Sequence, residues 1–159
     1  MKKNILKIKK VKKSFDHKNG KVKIFNDISL NIKKGDLVAL VGPSGSGKST
    51  FLNIISLLDK VDSGEIFFNN INLKKLNENE KDQVRKKNIS MIFQNNNLLN
   101  DFTALENVIM PLIIKNEDKK KSHKKAKAIL SNFNLSNRYN HFPDELSGGE
   151  QQRVAIARA

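Results

Sequence analysis

One stretch of nine residues, GPSGSGKST at Gly42 to Thr50, restricts what this chain can fold into more than any other feature. It lies between a continuously apolar run, LVALV at 37–41, and the segment STFLNIISLLD. That segment reads as a helix with Phe51, Leu52, Ile55 and Leu58 on its apolar side. A buried strand, a glycine-rich turn and a helix, in that order, form a phosphate-loop unit. Gly42, Gly45 and Gly47 let the backbone wrap a phosphate chain with its N–H groups inward, at φ values other residues resist. Pro43, Ser44, Ser46 and Thr50 complete the loop. Lys48 adds a point charge for the β- and γ-phosphates, and the Ser49 hydroxyl can ligate Mg²⁺. The apolar run before the loop does not alternate, which predicts a strand buried on both faces of a parallel sheet.

The flanking segments read differently. Leu6 and Ile8 alternate with lysines, Val22 and Ile24 follow an Asn19-Gly20 pair suited to a tight hairpin, and Ile28, Leu30 and Ile32 share one face. A Lys34-Gly35-Asp36 turn closes this antiparallel region. DSGEIFF is a turn into another strand, and ISMIF at 89–93 is a second short buried strand ending at Gln94. Thr103 and Glu106 make a capping box for a helix through Asn107 and Val108, which Pro111 ends or kinks. Ala126, Ile129, Leu130 and Phe133 recur at helical spacing on a polar segment.

Charge raises a nucleic-acid reading, since 30 Lys+Arg against 16 Asp+Glu give +14. The lysines are dispersed, however, and at 6% aromatic content the chain has no stacking platform of interleaved rings. A solvated lysine-rich surface near anionic lipid headgroups fits better. The absence of cysteine removes disulfides and thiolate metal sites, and fits a reducing compartment. No apolar stretch approaches the length of a membrane span, and the basic N-terminal stretch lacks the apolar region of a signal peptide. The chain is expected to be soluble or peripheral.

Two further places carry chemistry. Gln94 closes a buried strand, and ligand sites in open parallel sheets lie at the carboxyl ends of strands, so its amide could hold Mg²⁺ or a water near the γ-phosphate. Ser147, Gly148 and Gly149 precede a helical run, EQQRVAIA, and offer outward N–H groups to an anion. A nucleotide already wrapped by Gly42 to Thr50 is not easily wrapped again by the same chain. The second anion site therefore suggests two chains sandwiching the nucleotide.

Gly42 to Thr50, Gln94 and LSGGEQQRVAIARA together resemble, in order, the Walker A loop, Q-loop and signature motif of the nucleotide-binding domain of ABC transporters. The resemblance covers essentially all of residues 1–159, read as a partial domain of this kind. It implies an α/β P-loop NTPase: a RecA-like parallel sheet, an antiparallel β subdomain, and a helical subdomain at about 95–150. It implies that Phe15 stacks on adenine, where the family usually has tyrosine, and that Ser147, Gly148, Gly149 and Glu150 contact the γ-phosphate of ATP held by a second copy. ATP and Mg²⁺ are the implied ligands, with Lys48 and Gln94 catalytic and Ser49 and Gln94 on the metal.

NNNLLNDFTALENVIMPLII and NHFPDELSGGE are similar to the lipoprotein-releasing, LolD-type group, with macrolide-export and cell-division ATPases sharing much of the pattern. Transmembrane permease subunits are the implied partners, docking from Gln94 into ENVIMPLII at the cytoplasmic face of the bacterial inner membrane. Direct binding of nucleic acid is not expected. A DNA-repair ATPase of the same superfamily would insert a long coiled coil or a zinc module before the signature, and neither heptads nor cysteines occur there. In the family, the Walker B aspartate, the catalytic glutamate, the D-loop and the switch histidine follow the signature helix. None lies within the 159 residues, and His17, His123 and His141 come too early. The stretch is thus expected to be C-terminally truncated and, by itself, poorly stable and nearly inactive. A remnant that binds ATP without hydrolysing it is the other reading.

Overall fold

The computed structural model describes residues 3–18 and 20–159, and the chain divides into two compact units that meet in sequence between Arg85 and Lys86. The N-terminal unit is built on an antiparallel sheet of order β2-β1-β3-β4. Its strands are β1 (Asn4–His17), β2 (Gly20–Lys33), β3 (Ser63–Phe68) and β4 (Ile71–Asn72). The expected alternation holds. Leu6, Ile8 and Val11 of β1 are buried, and Ile28, Leu30 and Ile32 of β2 turn toward the same core. The β1–β2 hairpin closes at His17 opposite Gly20; Asn19 of the expected turn pair lies outside the described residues. Gly35 (φ 83°) makes the turn after β2, with Asp36 N–H donating to Lys33 O at 3.1 Å.

Gly64 shows how tightly the sheet is sewn. Its φ is +93°, and a Cβ there would sit 2.5 Å from the Lys10 carbonyl oxygen, where β1 bulges. Only glycine fits. Helix α1 (Lys48–Ile55) packs on this sheet through Phe51 and Ile54, and Phe51 meets Phe25 of β2 edge-on at 6.0 Å. The expected face is borne out in part: Phe51 is buried and Ile55 packs against the core, while Leu52 and Leu58 are exposed. The helix ends at Ile55 and Leu57 turns left-handed (φ 60°), which takes Leu58 off the helical period.

The expected parallel strands are also corrected. Residues 37–41 and 89–93 form no ladder among the described residues, and Leu37 and Val41 are 102% and 85% exposed. A parallel strand takes its hydrogen bonds from neighbours distant in sequence. Neither run has such a neighbour among the described residues, so an apolar sequence alone does not make it a strand.

Helix α2 (Glu78–Asn88) spans the junction between the units. The C-terminal unit is helical: α3 (Ala104–Ile114), α4 (Lys119–Asn132) and α5 (Gly148–Arg158). Its core joins Leu105, Val108 and Ile109 of α3 to Ala126 and Leu130 of α4 and Val154 of α5. The capping box predicted at Thr103 and Glu106 is present, each side chain bonding the other's backbone N–H. Pro111, expected to end or kink α3, lies inside a helix that continues to Ile114.

Candidate nucleotide-binding site

Residues 42–46 are exposed and lead through Gly47 into α1, whose first turn is Lys48 to Thr50. Lys48 Nζ reaches back over the loop and donates to Gly42 O at 2.9 Å and Pro43 O at 2.6 Å, with Ser46 Oγ at 3.5 Å. The ammonium therefore sits inside the curl of its own loop, held by carbonyls that a phosphate oxygen could replace as partners. Gly47 carries the turn. It caps α1 in the left-handed region (φ 86°, ψ 11°), and a Cβ on it would come within 2.3 Å of Ile24 Cγ2. Glycine is required there twice over, once for conformation and once for space. The first amide bond of the helix, Phe51 N–H to Gly47 O at 2.8 Å, begins only at the fourth residue of α1. The N–H groups before it face outward as an anion site does. Ser49 is exposed on the first turn of the helix.

Phe15 lies in the same unit, near the end of β1 opposite Val22, and is 44% exposed. Beneath it Lys13 is 7% exposed; its Nζ lies 4.6 Å from the centre of the Phe15 ring. The ammonium donates to Asp59 Oδ1 and Lys60 O, each at 2.8 Å. An exposed ring whose orientation is fixed by a buried, paired cation is a rigid stacking surface. Lys13 and Asp59 are 46 residues apart, and nothing in the local sequence pairs them.

The C-terminal unit holds the other two sites. Gln94 is exposed in a turn, and Asn96 and Asn97 after it are left-handed (φ 57° and 45°). Arg158, at the far end of α5, donates to both of their carbonyls, at 2.7 and 2.6 Å, and burial lowers its pKa. The signature residues are drawn together by a second capping box. Ser147 N–H and Ser147 Oγ both donate to Glu150 Oε2 at 2.8 Å, and Glu150 N–H donates to Ser147 Oγ at 3.3 Å. Gln151 fastens the approach to the helix by donating to Pro143 O at 2.8 Å and Leu146 O at 3.2 Å.

Arg138 Nε donates to Glu150 Oε1 at 2.7 Å. This bond first, and the two Ser147 donors next, hold the Glu150 pKa down at about 2 from an ordinary 4.5. A depressed folded-state pKa stabilises the fold above the unfolded value and loses that contribution as pH falls through about 2. The advantage in melting temperature of the natural protein over Glu150→Gln, measured at neutral pH, is expected to shrink below pH 4.5 and vanish near pH 2. A difference that stays constant with pH would refute that ionic role.

The family assignment rests on more than these motifs. The ABC transporter family model matches residues 25–159, from within β2 through the phosphate loop to the signature helix. The chain belongs to the ABC transporter family. It is 45% identical over 159 residues to the lipoprotein-releasing system ATP-binding protein LolD of Rickettsia bellii, and 43% identical over the same span to that of Treponema denticola. Each match covers all of this chain and 70% of the relative. Its fold is similar to that of the ATP-binding cassette MJ0796 in a dimeric, post-hydrolysis state bound to ADP and Pi, with a TM-score of 0.89 at 43% identity. A second dimeric structure of this bacterial ABC transporter cassette gives 0.90, and both matches cover 96% of this chain and 68% of the neighbour. The α/β P-loop NTPase class read from the sequence therefore holds, although the runs at 37–41 and 89–93 form no ladder.

Proposed function

We propose that this protein is the ATP-binding and hydrolysing subunit of a lipoprotein-releasing ABC transporter. The observation that carries the reading is the likeness to LolD proteins, which covers all of this chain and so takes in the phosphate loop, the Gln94 turn and the signature helix. Gly42 to Thr50 cradle the phosphates, Lys48 moves from its loop carbonyls to the β- and γ-oxygens, and Phe15 carries the adenine. The Ser49 hydroxyl would hold Mg²⁺, which would neutralise charge on the phosphate oxygens. Ser147, Gly148, Gly149 and the backbone of Glu150 meet the γ-phosphate of ATP bound to a second copy. Two copies close on ATP because that phosphate bridges them, a ligand-driven shift of population, and reopen after hydrolysis. Among the described residues no helix is long and apolar enough to cross a membrane. The work is transmitted to transmembrane permease subunits at the cytoplasmic face of the bacterial inner membrane.

The test is genetic. In a bacterium whose own lipoprotein-releasing ATPase is depleted, the full-length protein expressed with its cognate permeases is expected to restore lipoproteins to the outer membrane, and its Lys48→Ala variant is not. Failure to restore release, with rescue instead of macrolide export or cell division, would move the assignment to one of those related groups.

A further inference from the structure

The signature turn contains a carboxylate where an anion is to bind. Glu150 is the one acidic residue in the first turn of α5, within the sequence Ser147-Gly148-Gly149-Glu150. An anion at a helix start gains from unpaired N–H groups and from the helix dipole, and a negative side chain beside it works against both. Glu150 also competes for the donor that matters. The hydroxyl hydrogen of Ser147 is already given to Glu150 Oε2 at 2.8 Å, and the Ser147 N–H goes to the same oxygen. A phosphate can recruit that hydroxyl only if the carboxylate lets go of it.

Arg138 addresses both problems. It ends the 3₁₀ turn Ser136–Arg138, twelve residues before Glu150, and reaches it with one nitrogen, Nε, at 2.7 Å. Among the described residues no hydrogen bond occupies its two terminal nitrogens, and the guanidinium and Glu150 line an open polar cleft with Asn134, Ser136 and Asn137. The Glu150 side chain is 17% exposed and that of Arg138 41%, so the ion pair is partly shielded from solvent.

We propose that Arg138 is a positioning residue for the partner's γ-phosphate: paired with Glu150, it cancels the negative charge in the first turn of α5 and lets the Ser147 hydroxyl turn from that carboxylate to the phosphate. The inference rests on the reading of Ser147 to Glu150 as a site for a second copy's ATP, and it assigns to that site a residue outside the motif. A bare carboxylate about 6–12 Å from a γ-phosphate is expected to weaken binding by roughly ten- to a hundredfold at an effective dielectric near 20.

The experiment follows ATP-driven dimerisation of the full-length protein by analytical ultracentrifugation. Arg138→Gln is expected to raise the dimer dissociation constant roughly tenfold or more, and Arg138→Lys, which keeps the charge, to raise it less than about threefold. The deciding variant is Arg138→Gln/Glu150→Gln, which removes both charges and is expected to recover most of the loss. A purely structural role for the bridge predicts that dimerisation falls and recovers in step with the melting temperature across the three variants, and that result overturns the inference. So does unimpaired dimerisation of Arg138→Gln. If the natural protein itself fails to dimerise on ATP, the two-copy reading falls and the inference falls with it.

Discussion

Replacing Lys48 with alanine is expected to lower ATP turnover by on the order of 10²–10³-fold, the usual effect of removing one positioned charge from a site that works by electrostatic stabilisation. The structure gives a reason to expect a clean loss rather than a collapse. Lys48 Nζ makes its contacts with Gly42 O, Pro43 O and Ser46 Oγ of an exposed loop, and the core of the N-terminal unit is made by other residues. The two carbonyls lose a donor but remain open to water, so the melting temperature should move little. Arginine is not a conservative replacement, because its planar fork cannot occupy the compact position of an ammonium between two carbonyls. Equilibrium binding of a fluorescent ATP analogue and steady-state hydrolysis check the prediction together. An affinity loss below about threefold would remove Lys48 from the site.

The largest effect on stability is expected from Asn107→Ala, at about 3–5 kcal/mol. Asn107 is fully buried in α3, and its amide does the work of a short strand ladder. Nδ2 donates to Leu99 O at 3.1 Å, Phe102 O at 2.9 Å and Thr103 O at 3.1 Å, while Oδ1 accepts from Leu99 N–H at 2.9 Å. One side chain thereby satisfies the backbone of the loop that enters the helix. Alanine would take the side-chain partner from Leu99 N–H and Phe102 O, while Leu99 O and Thr103 O keep their bonds from Phe102 N–H and Asn107 N–H, and it would leave a cavity as well. Aspartate should not substitute, since it cannot donate. Chemical denaturation of the full-length protein measures the loss, and a change under about 1 kcal/mol would show that the loop finds other partners.

What the sequence revealed and concealed follows from the range of the forces involved. Gly47 is legible because a left-handed residue in a phosphate loop must be glycine, and the same turn needs Lys48 next to it. The capping box at Thr103 and Glu106 is legible because its two bonds span three residues; the one at Ser147 and Glu150 has the same spacing but was read only as an anion site. Asn107 passed as an ordinary helical residue; a polar side chain at the start of an apolar helix, one turn after the cap, was the available signal. The runs at 37–41 and 89–93 were misread because strand formation depends on a distant partner, which composition cannot supply. The pairs Lys13 with Asp59 and Arg138 with Glu150 were invisible for the same reason, being 46 and 12 residues apart. Local geometry writes itself into a sequence, and contacts across a fold do not.

The central claim is that the loop at Gly42 to Thr50 and the turn at Ser147 to Glu150 act on one nucleotide from two copies of the chain. Mixing two defective full-length variants tests it most directly. Lys48→Ala spoils the first element and Ser147→Arg the second, so a dimer of either variant has two damaged sites. A mixed dimer has one site in which an intact loop faces an intact signature. Ultracentrifugation with ATP is predicted to show dimers in the mixture that neither variant forms alone. Dimerisation of the natural protein, with none in the mixture, would contradict the account.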